Sequence, residues 1–220
     1  MKIIELKETI TASNDRDAEE LRGELKKKGT LLINLMASPG AGKTTLLERT
    51  IRDLSKDMRI AVMEADVDSD VDAVRIEKTG AKAVQAHTNG MCHMDAGMTR
   101  RALEELGGED FDLVVLENVG NLICPAEFDT GAGRCVMLLS VPEGDDKPLK
   151  YPLMFSVSDV LIITKTDVAP YFDFDVEACV RRAKKLNPDI RVFTVSSKTG
   201  EGFDAWEAWL SDQVREWKER

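Results

Sequence analysis

The residues Ala37-Ser38-Pro39-Gly40-Ala41-Gly42-Lys43-Thr44 fit the pattern G-x-x-x-x-G-K-[ST], with Ala where the first Gly usually stands. A phosphate cradle requires backbone N–H groups turned inward, glycines where a Cβ would interfere, a helix N-terminus for its dipole, and one lysine reaching the terminal phosphates. Pro39, Gly40, Ala41, Gly42, Lys43, Thr44 and Thr45 are thus the expected nucleotide contacts, Lys43 with a catalytic share and Thr44 with a hydroxyl for Mg²⁺. The plain alternative is a glycine-rich turn. It is disfavoured by the strand pattern before the loop, the helix pattern after it and the intact Gly-Lys-Thr. Two apolar runs deliver acids toward this loop: one ends Glu64-Ala65-Asp66, the other runs from Leu113 to Leu116 and meets Glu117. Acids beyond such strand ends hold Mg²⁺, directly or through water, or position the attacking water, which makes Asp66 and Glu117 candidate catalytic groups and magnesium ligands. A helix cap or a solvated loop charge is the competing reading, and the run Asp66, Asp68, Asp70 and Asp72 is expected to contain both kinds.

After the run Val160 to Ile163 comes Thr164-Lys165-Thr166-Asp167, similar to the N-K-x-D guanine motif with Thr in place of Asn. Guanine offers N1–H and N2–H₂ as donors that one carboxylate accepts together, whereas adenine presents an acceptor at N1 and is repelled. Asp167 therefore argues for GTP, with the Lys165 stem along the base plane. Ser196-Ser197-Lys198-Thr199-Gly200 resembles the loop whose backbone N–H groups meet guanine O6, which makes Ser197 and Lys198 base contacts. A small-molecule kinase built on a phosphate loop would need an acceptor pocket instead, and the guanine signature counts against it.

Cys92-His93 precedes a helical pattern beginning near Asp95, and Cys124 lies just past Glu117-Asn118-Val119-Gly120-Asn121-Leu122-Ile123. Thiolate and imidazole suit nickel, zinc or copper. Adjacent Cys and His diverge on a regular strand, but at a loop-to-helix junction they can converge on one ion. Three ligands leave a tetrahedral site one short, the missing position falling to water or to a second copy across a two-fold axis. From residue types alone, buried thiols remain an open alternative. Cys124 follows the Glu117 strand, where GTPases carry the segment that responds to the γ-phosphate, so a ligand there would tie metal geometry to nucleotide state.

These groups need a scaffold, and apolar runs rich in β-branched residues alternate with amphipathic helical patterns. Strands are expected over 31–36, 59–64, 83–86, 113–119, 136–141, 160–164 and 192–195, and helices over 15–28, 43–56, 70–79, 95–106, 175–186 and 202–217. The alternation reads as α/β, a mostly parallel doubly wound sheet covered on both faces. One domain spans 1–220, with 1–29 an N-terminal extension and helix before the first core strand. The stripe Phe203, Trp206, Leu210, Val214, Trp217 reads as core-facing rather than as a partner face, and Cys135 and Cys179 read as small core side chains. His87 has no ligand partner by spacing. Lys and Arg at 30 against Asp and Glu at 40 give a net charge of −10, which disfavours nucleic acid as a partner. No run approaches the ~20 apolar residues of a membrane span, and Glu5 interrupts the opening apolar residues before a signal-peptide core forms. Four scattered cysteines fit reduced thiols in a cytoplasmic protein.

Beyond the generic motifs stand longer strings: Cys92-His93-Met94-Asp95-Ala96, Glu117 through Ala126, Glu143-Gly144-Asp145-Asp146-Lys147-Pro148-Leu149-Lys150-Tyr151-Pro152, and Pro170-Tyr171. On these the chain resembles the HypB family, the nickel-inserting GTPases of hydrogenase maturation, from Ser38 to Leu210. The resemblance implies a SIMIBI-class P-loop GTPase fold, slow switch-like hydrolysis of GTP, and a GTP-dependent homodimer. It further implies Cys92, His93 and Cys124 as nickel or zinc ligands at or near the dimer interface. Delivery would be to a hydrogenase large-subunit precursor, with a small zinc-containing maturation protein as a second partner. The family's N-terminal cysteine motif or histidine-rich tract is not implied, since no Cys precedes Cys92 and the two histidines are His87 and His93. Thr164 and Ala37 also depart from the strict pattern. A metal-storing or scaffold protein with a structural nucleotide site is the rival from another class, separable by hydrolysis coupled to metal release.

Overall fold

The computed structural model describes residues 6–66, 71–88 and 90–219, and the side chains at 6–10, 66 and 71 lie outside that description. In chain order the elements are α1 (Leu6–Lys28), β1 (Leu31–Ala37), α2 (Lys43–Leu54), β2 (Ile60–Asp66), α3 (Val71–Glu77), β3 (Lys82–His87), α4 (Ala96–Glu105) and β4 (Leu113–Glu117). There follow α5 (Cys124–Glu127), β5 (Arg134–Ser140), α6 (Lys147–Lys150), α7 (Pro152–Val157), β6 (Val160–Thr164), α8 (Val176–Leu186), β7 (Arg191–Thr194) and α9 (Phe203–Glu219). Tight 3₁₀ turns cover Val141–Glu143 and Thr166–Tyr171. The seven strands form one sheet in the order β3-β2-β4-β1-β5-β6-β7, and every pairing is parallel, where the sequence led us to expect a mostly parallel sheet.

Strands covered on both faces cannot alternate apolar with polar, and β1, β4 and β6 are buried along their whole length. Leu31, Ile33, Leu35 and Ala37 of β1 face a core shared with α2 and α9, in which Phe203, Trp206, Leu210 and Val214 are buried. The C-terminal stripe therefore packs on the sheet. On the other face Leu32 joins Leu21 and Leu25 of α1 and Ala102 of α4, whereas Met36 joins Met154 and Phe155 of α7 and Cys179 of α8. Asn34, the polar break in β1, is buried on that face, and its Oδ1 accepts a hydrogen bond from Asn118 Nδ2 at 3.0 Å.

The expected strand 113–119 ends at Glu117; the Asn118 N–H still donates to the Leu35 carbonyl of β1, and the next residues leave the sheet. β5 starts at Arg134 and stops at Ser140, whose hydroxyl caps the following turn together with Glu143. α1 begins at Leu6 rather than Asp15. The expected start of α3, Asp70, lies outside the described residues, as does Asp68. The short helices α6 and α7 were not expected; each has a proline in its first turn.

Candidate functional site

β1 lies between β4 and β5, and its carboxyl end releases the chain into the loop 38–42 before α2 begins at Lys43. This is the crevice position at which open α/β sheets bind ligands. Gly40 and Gly42 take φ of +75° and +99°, left-handed values that L side chains resist, and the α2 N-terminus points into a cleft of about 560 Å³. Pro39, Gly40, Gly42, Lys43, Thr44 and Thr45 line the cleft, while Ala41 is buried behind it.

Register sets the acids. Glu117 pairs with Leu35 on one side and with Glu64 on the other, so two carboxylates from neighbouring strands meet beneath the phosphate loop. Their exposures are 4% and 3%. Thr44 Oγ1 donates to Glu117 Oε1 at 2.9 Å, and Lys43 Nζ stands 3.9 Å from the same oxygen. Burial, followed by the charge of Glu117, pushes the Glu64 carboxyl well up. Burial also raises Glu117, against the pull of Lys43 and of hydrogen bonds from Glu64 and Thr44. Both carboxyls are thereby shifted toward the neutral form, with burial as the main cause. Glu64 Oε1 and Glu117 Oε2 are buried without a hydrogen-bond partner, and these hard oxygens beside the Thr44 hydroxyl fit a magnesium ion.

The sequence reading missed Glu64, although a carboxylate inside the apolar run Ile60–Ala65 was the available signal. Asp66 closes β2, and its side chain lies outside the described residues. Asp72 lines the cleft and accepts from Arg75 at 3.2 Å. Arg75, also on the lining, had no marker in the sequence; it is clasped by Glu48 at 2.6 Å and reaches Thr45 Oγ1 at 3.3 Å.

At the end of β6, Thr164 Oγ1 donates to the Ala41 carbonyl at 2.7 Å and Lys165 Nζ to the Gly40 carbonyl at 2.7 Å. The Thr standing where the motif has Asn therefore ties the end of β6 to the phosphate loop. Lys165 itself is left-handed, with φ 59°. Ser196 Oγ donates to Asp167 Oδ1 at 2.8 Å and accepts from the Thr199 N–H at 3.1 Å, which joins Asp167 to the loop carrying Ser197 and Lys198.

Cys92, His93 and Cys124 converge. Their ligand atoms all lie within 4.8 Å of one another, and among the described residues no other group of three or more His, Cys, Asp and Glu does so. The two sulfurs are 2.8 Å apart, beyond the ~2.05 Å of a disulfide bond, and Cys92 Sγ is 3.8 Å from His93 Nδ1. The Cys124 contact, then burial, raises the Cys92 thiol. Burial lowers His93, which favours the neutral imidazole that binds metals. The His93 ring stacks on Phe128 with centroids 3.9 Å apart. Asp95, whose side chain accepts from the Met98 N–H at 2.7 Å, caps α4 and fixes the loop from behind.

One segment joins the two sites. Asn118, next to Glu117, accepts at Oδ1 from the Met94 N–H at 3.3 Å, and Asn121 Nδ2 donates to the Cys92 carbonyl at 3.5 Å. Asn121 N–H also donates to the Ala37 carbonyl at the end of β1, and Asn121 Oδ1 accepts from the Ile123 N–H beside Cys124. At Gly120 a Cβ would lie 2.9 Å from Pro39 Cγ, so this segment rests directly on the phosphate loop. His87, by contrast, is exposed at the end of the edge strand β3.

Residues 31–194 match the family described as CobW/HypB/UreG, nucleotide-binding domain. A hydrogenase maturation factor HypB from Azotobacter chroococcum is 48% identical over 212 residues, covering 96% of this chain and 70% of the relative. Among solved structures, HypB from Helicobacter pylori in complex with nickel is similar with a TM-score of 0.88 and 40% identity, over 93% of this chain and 96% of that one. The signal recognition particle receptor FtsY from Elizabethkingia anophelis, in complex with GDP, shares the fold alone, at TM-score 0.53 and 15% identity over 82% of this chain and 64% of that one. The fold is that of the SIMIBI class of P-loop proteins, and with similarity over 96% of its own length the chain belongs to the HypB family of hydrogenase maturation factors.

Proposed function

We propose that this chain is a GTP-hydrolysing switch that carries nickel to a hydrogenase under maturation, acting as one G domain over 1–220. The observation that carries the reading is the segment 117–124, which begins at a carboxylate held by the phosphate-loop threonine and ends at a metal-ligating sulfur. Lys43 and the backbone N–H groups of Gly40 to Thr44 hold the phosphates, and Asp167 with Ser197 and Lys198 selects guanine over adenine. Thr44, Glu117 and Asp66 would hold Mg²⁺, which when bound would neutralise phosphate charge. Release of the γ-phosphate lets Glu117 relax, and Asn118 and Asn121 pass the movement to the backbone of Met94 and Cys92.

Nickel is the cargo at Cys92, His93 and Cys124, with zinc as the competing ion of similar ligand preference. Met91 and Ile123, exposed at 46% and 55%, flank these ligands, which supports a second copy docking there in the GTP state and completing the coordination. The zinc-containing maturation protein and the large-subunit precursor are the partners that fit this role. Among the described residues no helix is long and apolar enough to cross a membrane, and we place the protein in the cytoplasm.

The test is a nickel titration with GDP and then with a nonhydrolysable GTP analogue. Affinity is expected to differ at least fivefold between the two states, and equal affinities overturn the reading. Cys92→Ala or Cys124→Ala should lower bound metal per protomer; unchanged stoichiometry removes the ligand assignment. Lys43→Ala should abolish turnover. A storage protein would keep its metal through hydrolysis, which the same titration followed over one turnover separates.

A further inference from the structure

Arg49 lies on α2 outside the cleft lining, yet its guanidinium sits under the 196–200 loop. Nη1 donates to the Ser197 carbonyl at 3.4 Å, Cζ lies 4.9 Å from the centroid of the Phe203 ring, and Nε faces the Asp53 carboxylate at 3.5 Å. A Cβ at Gly200, where φ is +89°, would come within 2.8 Å of Arg49 Cζ, so the loop lies directly on the guanidinium. Ser196 adds further bonds to the loop: its carbonyl accepts from the Gly200 N–H at 2.8 Å and its hydroxyl joins Asp167 to Thr199.

Peptide geometry gives this contact a consequence. No cis peptide occurs among the described residues, so the carbonyl of Ser197 and the N–H of Lys198 point in opposite directions from one rigid plane. A guanidinium that holds the carbonyl on the α2 side turns the Lys198 N–H away from α2. We infer that Arg49 is a positioning residue for base selection, orienting the Lys198 N–H toward guanine O6 through the Ser197 carbonyl. The inference rests on the guanine reading of Asp167 and deepens it. Because α2 starts at Lys43, Arg49 also references the base loop to the helix that meets the phosphates. Asp53, one helical turn along α2, faces the same guanidinium and helps to hold it under the loop.

The test uses the full chain, Arg49→Gln and Arg49→Lys, with three probes: GDP, 6-thio-GDP and IDP. Sulfur at position 6 is a poor acceptor but leaves N1–H and N2–H₂ intact, whereas IDP keeps O6 and loses the amino group read by Asp167. In the unaltered chain GDP should bind more tightly than 6-thio-GDP. In R49Q that preference should shrink about tenfold, with the GDP to IDP ratio unchanged, and R49K should restore part of it. Parallel loss of all three ligands, or no change in the 6-thio ratio, overturns the inference. If R49Q does not fold, R49K decides, since it keeps the charge and loses the planar fork. Failure of the guanine reading looks different: the unaltered chain would then hold ADP as tightly as GDP.

Discussion

Glu64 shows how far function departs from stability at one residue. A buried acid with an unpartnered oxygen, set beside a second acid, carries a desolvation cost that a folded core would shed if nothing else required it. Replacing Glu64 by Gln keeps the shape and removes the second acid from beside Glu117. The variant is expected to be more stable by about 1 kcal/mol, read as a higher melting temperature, and slower by tenfold or more in single-turnover phosphate release. A slower but less stable variant would assign Glu64 to the core instead. Thr164 makes the opposite case: it departs from the usual residue of its motif, yet its hydroxyl reaches the Ala41 carbonyl, and Thr164→Val should cost about 1 kcal/mol through an orphaned buried acceptor.

At the scale of elements, the contact of the 117–124 segment with the phosphate loop is tightest at Gly120. A methyl there would come within 3.1 Å of the Pro39 Cα and force the two apart. Gly120→Ala should leave metal stoichiometry intact and abolish the nucleotide dependence of metal affinity; a variant that still senses the nucleotide would refute the contact as the coupling point. A separate clamp holds the amino ends of the strands. Asp112, just before β4, accepts from the Arg59 backbone N–H at 2.6 Å and from Lys218 of α9 at 2.6 Å. Burial alone would raise its carboxyl, but these bonds, with the Arg59 side chain, outweigh burial and hold it at about 2, below the ordinary 3.8. A depressed folded value means that the stabilisation is complete above the unfolded value and fades as pH falls through the folded one. Asp112→Asn should therefore cost about 1–2 kcal/mol at pH 7, with the difference from the unaltered chain closing between about pH 4 and 2 in acid unfolding.

For the whole molecule, the prediction concerns association. With a nonhydrolysable GTP analogue the mass in solution should double, and nickel should strengthen association in that state, since binding free energies couple reciprocally. A mass indifferent to nucleotide would remove the shared metal site. The phosphate loop and the alternation of strand and helix were legible in the residues because each depends on local spacing: Gly40, Gly42 and Lys43 act within one turn, and unbroken apolar strands imply cover on both faces. What required the fold was every relation across strands. Glu64 meets Glu117 only through the β2–β4 register, Arg49 meets Ser197 across 148 residues, and Cys92 comes within reach of Cys124 because Asn118 and Asn121 pin their loops together. Linear spacing records the donors a chain owns, whereas strand register and loop closure decide which of them share an ion, a proton or a base.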